Sequence, residues 1–255
     1  MPQNGIRTRI LALLAMSLAL GGCATAPGRT TSNDPWEGLN RRINHFNDVA
    51  DRATLKPVAK AYAKVTPGWM QTGVRNLFAN LGYPTTILNQ LLQGKVAMAC
   101  QDTGRLLINT IAGVGGLIDA ASIAGLTANE EDFGQTLAVW GVPSGRYVTL
   151  PLVGPSNLRD APSRIADYFT GVPRYVDVRW QAEWSVRAVE VIGYRADLLP
   201  VEAQIENVFD RYAFLRDAWA QRREYMIFDG SPPEPTFDDE PLDDERVAPA
   251  APVAP

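Results

Sequence analysis

The sequence predicts a mainly α-helical fold with one short strand or hairpin. Apolar residues recur at spacings of three and four along most of the chain, which gathers them on single helix faces. Only Arg146 to Val153 alternates with β-branched residues as a strand does. Within the body, the uncharged run Leu106 to Ile118 has 13 residues and three glycines. It is too short for a spanning helix.

Of the 255 residues, those at either end read as separate from the fold. Residues 1–22 form an export signal: Arg7 and Arg9 precede the apolar run Ile10 to Leu20. That run ends in Leu20-Gly21-Gly22-Cys23, which resembles a bacterial lipobox and makes Cys23 the acylated first residue after cleavage. Position 24 is alanine rather than aspartate, which favours the outer membrane. Acyl chains stabilise attachment by about 0.8 kcal/mol per buried CH₂, so several chains hold the protein durably. Residues 23–33, rich in Thr, Gly, Ser and Ala, read as a flexible tether. Residues 229–255 carry 7 of the 19 prolines and 8 acids against one base, the composition of a disordered acidic tail. The folding domain is then residues 34–228.

That domain opens on Asp34-Pro35-Trp36-Glu37, an N-cap acid, proline at the first helical position and glutamate at the third. Trp36, Leu39, Ile43 and Phe46 follow on one helix face, with Asn40, Arg41, Asn44, Asn47 and Asp48 on the rest. Thr66-Pro67 opens a second helix ending at Gly82, and Pro84 opens a third ending at Gly94. A fourth runs from near Lys95 to Ala112, where Gly113-Val114-Gly115-Gly116 breaks it. The strand at 146–153 either pairs with Leu137 to Trp140 or stays as extended chain. Helices resume over Pro155 to Phe169, Arg174 to Leu198 and Val201 to Met226, the last with a break near Asn207. Cys100, in an apolar stretch, reads as a small buried hydrophobe.

Composition excludes several chemistries. The net charge of −4 comes from the tail, so the body is nearly neutral and lacks the basic face that nucleic acid requires. One histidine, His45, and two distant cysteines cannot build a zinc cage, and no cofactor or metal is expected. No Gly-x-Ser-x-Gly elbow, phosphate loop or dinucleotide fingerprint is present. A cell-wall hydrolase acting through a single carboxylate is the alternative, since it needs only one glutamate in an apolar cleft. Glu37, Glu183 and Glu190 each have simpler roles as a cap or as half of a helix-surface pair, so the chain is read as no enzyme.

Six tryptophans and broad apolar helix faces suit two arrangements. They fill an ordinary helical core, or helices lie in a membrane with apolar faces outward and polar faces lining a passage. A lipid anchor favours the second.

The lipobox, the opening Asp34-Pro35-Trp36-Glu37-Gly38-Leu39-Asn40-Arg41 and a series of later segments together resemble the MlaA (VacJ) family of outer-membrane lipoproteins. Those segments are Leu106 to Asp119, Asp132-Phe133-Gly134-Gln135-Thr136-Leu137, Gly141-Val142, Tyr147 to Pro151, Leu158-Arg159-Asp160, Asp210-Arg211-Tyr212 and Arg216-Asp217-Ala218-Trp219. The resemblance implies a ring-like arrangement of amphipathic helices around a polar channel, lipid-anchored in the outer membrane and embedded in its periplasmic leaflet. It implies removal of misplaced phospholipids from the outer leaflet and their passage to a soluble periplasmic carrier and an inner-membrane ATP-driven complex, preserving lipid asymmetry. An outer-membrane porin trimer is the implied membrane partner. It also implies that Asn44, His45, Phe46 and Asn47 affect the channel state, and Asp119, Arg159 and Asp160 are read as polar channel or cap residues. Gly141, Pro143 and Gly145 fall in a loop beside the channel, where Pro143 departs from a purely glycine-hinged turn.

Overall fold

The computed structural model describes residues 34–171, 180–205 and 207–233. Cys23, the export signal, the tether, the tail beyond residue 233 and the side chains of Trp180 and Glu183 lie outside the described residues. The elements are α1 (Glu37–Ala50), a π-helical turn (Asp51–Leu55), α2 (Lys56–Val65), α3 (Gly68–Leu92), α4 (Val96–Ile111), α5 (Ala120–Ile123) and α6 (Phe133–Val139). They continue with β1 (Tyr147–Leu150), β2 (Gly154–Asn157), α7 (Asp160–Thr170), α8 (Trp180–Asp197), α9 (Leu199–Ile205) and α10 (Arg211–Ile227). Among the described residues, no helix is long and apolar enough to cross a membrane.

Packing closes these elements into a ring. α1 runs through the π turn into α2, α2 packs on α8, α8 on α3, and α3 on α7. α7 packs on β2, β2 pairs antiparallel with β1, and β1 returns to α1. α10 contacts both α6 and β2, while α4 lies along α3.

Burial in this ring is inverted relative to a soluble bundle. The largest fully buried side chains include Arg105, Gln90, Gln135, Asn40 and Asn89. Ile123 (82%), Ile111 (80%) and Trp69 (74%) are exposed instead. A soluble domain buries leucine and isoleucine and leaves such polar groups in water, and here the two are exchanged. α1 shows the rule: Leu39 and Phe46 point outward, and Asn40 is buried. The polar stripe Asn80, Tyr83, Thr86, Asn89 and Gln90 is the buried face of α3.

Several sequence expectations are corrected. Asp34 does not cap the first helix, whose N-cap is Trp36 with no side-chain cap bond. Its buried carboxylate instead accepts from Asn40 Nδ2 at 2.8 Å and from the Tyr212 hydroxyl at 2.5 Å, tying the start of the domain to α10. The two helices expected either side of Gly82 are one, α3, with Pro84 inside it. Proline forfeits one intrahelical bond, but the buried polar stripe spans the position on both sides and holds the helix together. Leu137 to Trp140 is not a strand: Asp132 Oδ1 accepts from Gln135 N at 2.9 Å and caps α6 instead. β1 pairs with residues 154–157, and the helix expected from Pro155 begins only at Asp160. Leu152 (φ 62) and Gly154 (φ 94) adopt the left-handed backbone that reverses the chain between the strands. Cys100 is exposed rather than buried, whereas the break expected near Asn207 is found between α9 and α10.

Candidate functional site

On the inner face of α1, Asn40, Asn44 and Asn47 follow one another at spacings of four and three. The outer two grip the strand. Asn40 accepts from Thr149 N at 2.9 Å and donates to Tyr147 O at 3.3 Å. Asn47 accepts from Leu152 N at 2.7 Å and donates to Leu150 O at 2.9 Å. Each amide supplies the donor and acceptor that a neighbouring strand would offer, so the edge of β1 is satisfied by a helix.

Asn44 and Asn47 line a cavity of about 580 Å³ bounded by α1, the π turn, the hairpin turn, α8, α9 and α10. One part of its wall is ionic. Arg195 donates from Nε and a terminal nitrogen to the two oxygens of Asp51, both at 2.8 Å, and reaches Glu202 at 2.6 Å. Lys56 donates to Glu202 at 3.0 Å, Arg211 to Asp48 at 3.0 Å, and Arg52 pairs with Asp48 at 2.8 Å. Asp48, Asp51 and Glu202 on the wall are thus paired with Arg195 and Arg211, which also line it, and with Lys56 and Arg52, which do not. The remainder of the wall is apolar, including Leu55, Val191, Leu198, Val201 and Leu215. Such a wall offers hydrogen bonds from Asn44, Asn47 and two guanidinium groups to a headgroup, and hydrocarbon to an acyl chain.

Burial alone would raise the Glu202 carboxyl, but bonds and charge from Arg195 and Lys56 outweigh it and hold the group at about 2. Arg195 is pushed up chiefly by its bond to Asp51, against the opposing effect of burial. The π turn places Asp51, Thr54 and Leu55 on this wall, and such wide turns inside helices recur at functional sites.

A second cavity of about 560 Å³ lies between Asp34, Ser144, Tyr147 and α10 and is lined in part by Arg159 and Arg216. Arg159 Nε donates to Asp160 Oδ1 at 2.7 Å, and both side chains are buried. Arg223 crosses from α10 to bond Asp160 Oδ2 at 2.7 Å and both oxygens of Asp132 at 2.6 and 2.7 Å. Asp132 and Asp160 also border a smaller space of about 280 Å³ with Asp167. Burial pushes the Asp167 carboxyl up to about 6, with the Asp132 charge adding to it and a bond from Phe133 N opposing it.

The sequence-expected residues therefore divide. Asn44 and Asn47 reach the first cavity, while neighbouring His45 and Phe46 are exposed on the other side of α1. Asp119 lines none of these spaces. It caps α5 and accepts from buried Arg105 at 2.9 and 3.0 Å and from Asn109 at 3.1 Å. Arg159 and Asp160 join the second cluster. The 141–145 loop is exposed, with Gly141 (φ 86) and Gly145 (φ 66) both in the left-handed region. Arg159 anchors the loop by donating to Val142 O at 3.3 Å and, from its backbone, to Ser144 O at 3.2 Å. Pro143 lies in the exposed span between these two anchored carbonyls.

Sequence reasoning missed Asp51, Arg195, Glu202 and Arg223, and quoted Arg211 in a family segment without a role. Their partners lie up to 163 residues away, a separation no spacing rule covers. Of the glutamates open to the hydrolase reading, Glu37 accepts from Arg41 at 2.7 Å and Glu190 is exposed on α8, while the Glu183 side chain lies outside the described residues.

The MlaA lipoprotein family profile matches residues 32–226. An Escherichia coli K12 protein named intermembrane phospholipid transport system lipoprotein MlaA is 33% identical over 230 residues, covering 88% of this chain and 91% of its own. The Haemophilus influenzae protein of the same name is 31% identical, covering 87% and 91%. An uncharacterized Rickettsia bellii protein is 36% identical over 195 residues, 76% of each chain. A solved structure described as the structural basis for maintenance of bacterial outer membrane lipid asymmetry superposes with a TM-score of 0.68 at 34% identity, covering 78% of this chain and 100% of that one. Sequence and fold agree, and the chain belongs to the MlaA lipoprotein family.

Proposed function

We propose that this protein is an outer-membrane lipoprotein that takes phospholipids misplaced in the outer leaflet and passes them through its ring to the periplasm. Inverted burial is the observation that supports this most. A phospholipid crossing between leaflets must carry a charged headgroup past hydrocarbon, at a cost of several kcal/mol or more when unassisted. Polar groups turned inward shield the headgroup, and apolar helix faces turned outward dissolve in the leaflet. The cavity at Asn44, Asn47, Arg195 and Glu202 is the headgroup's route, with Leu55, Val191 and Val201 beside the acyl chains. Arg159, paired with Asp160, holds the 141–145 loop beside the second cavity.

The anchor in this reading is acylated Cys23, which keeps the ring in the periplasmic leaflet. An outer-membrane porin trimer holds it there, and a soluble periplasmic carrier of the same transport system receives the lipid. The relatives' names and the membrane-facing surface support these partners. No step requires a cofactor.

The test is the fraction of phospholipid in the outer leaflet of cells with the protein, without it, and with Ala50→Trp. Ala50 borders the cavity, so the indole fills the route while the protein stays anchored. The fraction is expected to rise in the null strain and in Ala50→Trp alike. Unchanged surface phospholipid in the null strain overturns the function, and a change there but not in Ala50→Trp overturns the route.

A further inference from the structure

A third space, of about 620 Å³, opens on the outside of the ring between the start of α3 and the glycine-rich loop after α4. Its walls are Trp69, Met70, Val74, Val114, Leu117 and Ile118, with Gly73 between them, and no charged residue lines it. The groove is preformed. Asn76 Nδ2 donates to Leu117 O at 3.2 Å, and Gly115 and Gly116 donate to the carbonyls of Thr110 and Asn109 at 2.9 and 2.8 Å. Gly116 lies so close to Asn80 that a Cβ there would come within 2.6 Å of the Asn80 side chain, which fixes the loop against α3.

Val114 gives the groove a second mark. Its φ of 53 lies in the left-handed region, which a β-branched residue occupies at real cost and glycine occupies freely. Three glycines surround it, yet this position carries a branched side chain, 64% exposed, on the groove wall. The strain presents hydrocarbon where backbone alone would serve the turn.

One cation stands at the rim. Arg75 donates to Thr72 Oγ1 at 3.1 Å, and Thr72 borders the groove. Its other bond, to Asp197 at 2.8 Å, leaves three of five guanidinium donors for a further acceptor. The half-exposed guanidinium meets an anion, and the uncharged groove meets a chain.

We propose that this groove binds one phospholipid of the surrounding leaflet, with an acyl chain between Trp69 and Val114 and its phosphate on Arg75. The site is separate from the route through the ring and rests on the reading that this surface lies in the membrane.

The full lipoprotein is reconstituted into phosphatidylethanolamine and phosphatidylglycerol vesicles carrying a trace of phospholipid with a diazirine in mid-chain. After photolysis, peptide mass spectrometry maps the adducts. Adducts at 69–74 and 114–118 are expected to exceed those at Ile123 and Ile165, which are exposed outside the groove, by about five-fold, the enrichment that a preference of about 1 kcal/mol gives. Gly73→Phe fills the groove, and Val114→Gly removes a wall while relieving the backbone; each should abolish the enrichment. Arg75→Gln should lower it for the phospholipid probe but not for a diazirine fatty-acid methyl ester. Uniform labelling of all exposed apolar residues overturns the site and leaves membrane embedding standing. No labelling anywhere overturns both. Equal labelling by the two probes in the unaltered protein removes Arg75 from the site and overturns the phospholipid assignment. A groove left unlabelled in a photo-crosslinked dimer assigns it to a second copy.

Discussion

Gln90 on α3 donates to Asp102 on α4 at 2.6 Å, and both side chains are completely buried. In a soluble helix pair these two positions would hold leucines. Here the helices meet through a polar contact because their apolar sides are turned outward. Asp102→Leu should destabilise the protein by about 2–3 kcal/mol, since it strands the Gln90 amide away from water. Gln90→Leu combined with Asp102→Leu removes both groups and should recover most of that loss. Thermal unfolding in detergent micelles measures both, and a double variant worse than the single would contradict the argument.

Asn47→Leu removes both bonds that pin the hairpin turn at Leu150 and Leu152. Leu152 then holds its left-handed backbone without a partner for its N–H. Stability should fall by about 1–2 kcal/mol, and hydrogen exchange across residues 150–154 should quicken. Surface phospholipid should also change, because the turn borders the proposed route.

Gly134→Ala should be more damaging than an ordinary helix substitution. A Cβ at this position would stand 2.4 Å from a terminal nitrogen of Arg223 and 2.5 Å from Asp160 Oδ1. Only a bare backbone lets the Arg223 guanidinium reach Asp132 and Asp160 together. The added methyl must separate a paired, largely buried ion cluster, which costs about 3 kcal/mol. The loss would be read as a lower unfolding midpoint in the same micelles.

Periodicity located most helices because it reports which residues share a face. It does not report which face is buried. Leu39 and Phe46, on the expected apolar face of α1, and Asn40, among its polar residues, obey the same spacing in a soluble bundle and in this inverted ring, so only packing decides between them. Asn44 and Asn47 were legible as polar face and as part of a family resemblance. The Asp51, Arg195 and Glu202 cluster was not, because charged residues on helices usually denote a solvated surface. α3 was read as two helices because Pro84 follows Gly82, and local chemistry there was overruled by a buried stripe crossing both.

Glu202 makes stability depend on acid. Its folded value of about 2 lies below the ordinary carboxylate range, so its contribution is complete above about pH 4.5 and is lost as pH falls toward 2. Glu202→Gln should therefore cost about 1–2 kcal/mol at neutral pH, after discount for partial solvent access, and almost nothing near pH 2. Unfolding midpoints of the two proteins should converge on acidification. Parallel curves would mean that Arg195 and Lys56 do not hold this carboxylate as described.

Asp167 carries the opposite sign. Its carboxyl accepts from Phe133 N at 2.9 Å and from Asn89 at 3.4 Å, no cation among the described residues forms a salt bridge with it, and burial lifts it to about 6. The folded protein therefore holds this proton more tightly than the unfolded chain, and the contribution is fully present below about pH 4. It declines as pH rises to about 6 and is gone above that. Asp167→Asn keeps an acceptor oxygen for Phe133 N and Asn89 while removing the charge beside Asp132. The variant should be more stable than the unaltered protein by about 1–2 kcal/mol at pH 7.5, with the advantage vanishing near pH 4. Unfolding of both proteins across pH 4 to 8 checks this. A variant less stable at pH 7.5 would mean that the ionised carboxylate is itself required beside Arg223, and that the cluster is stabilised by its third acid.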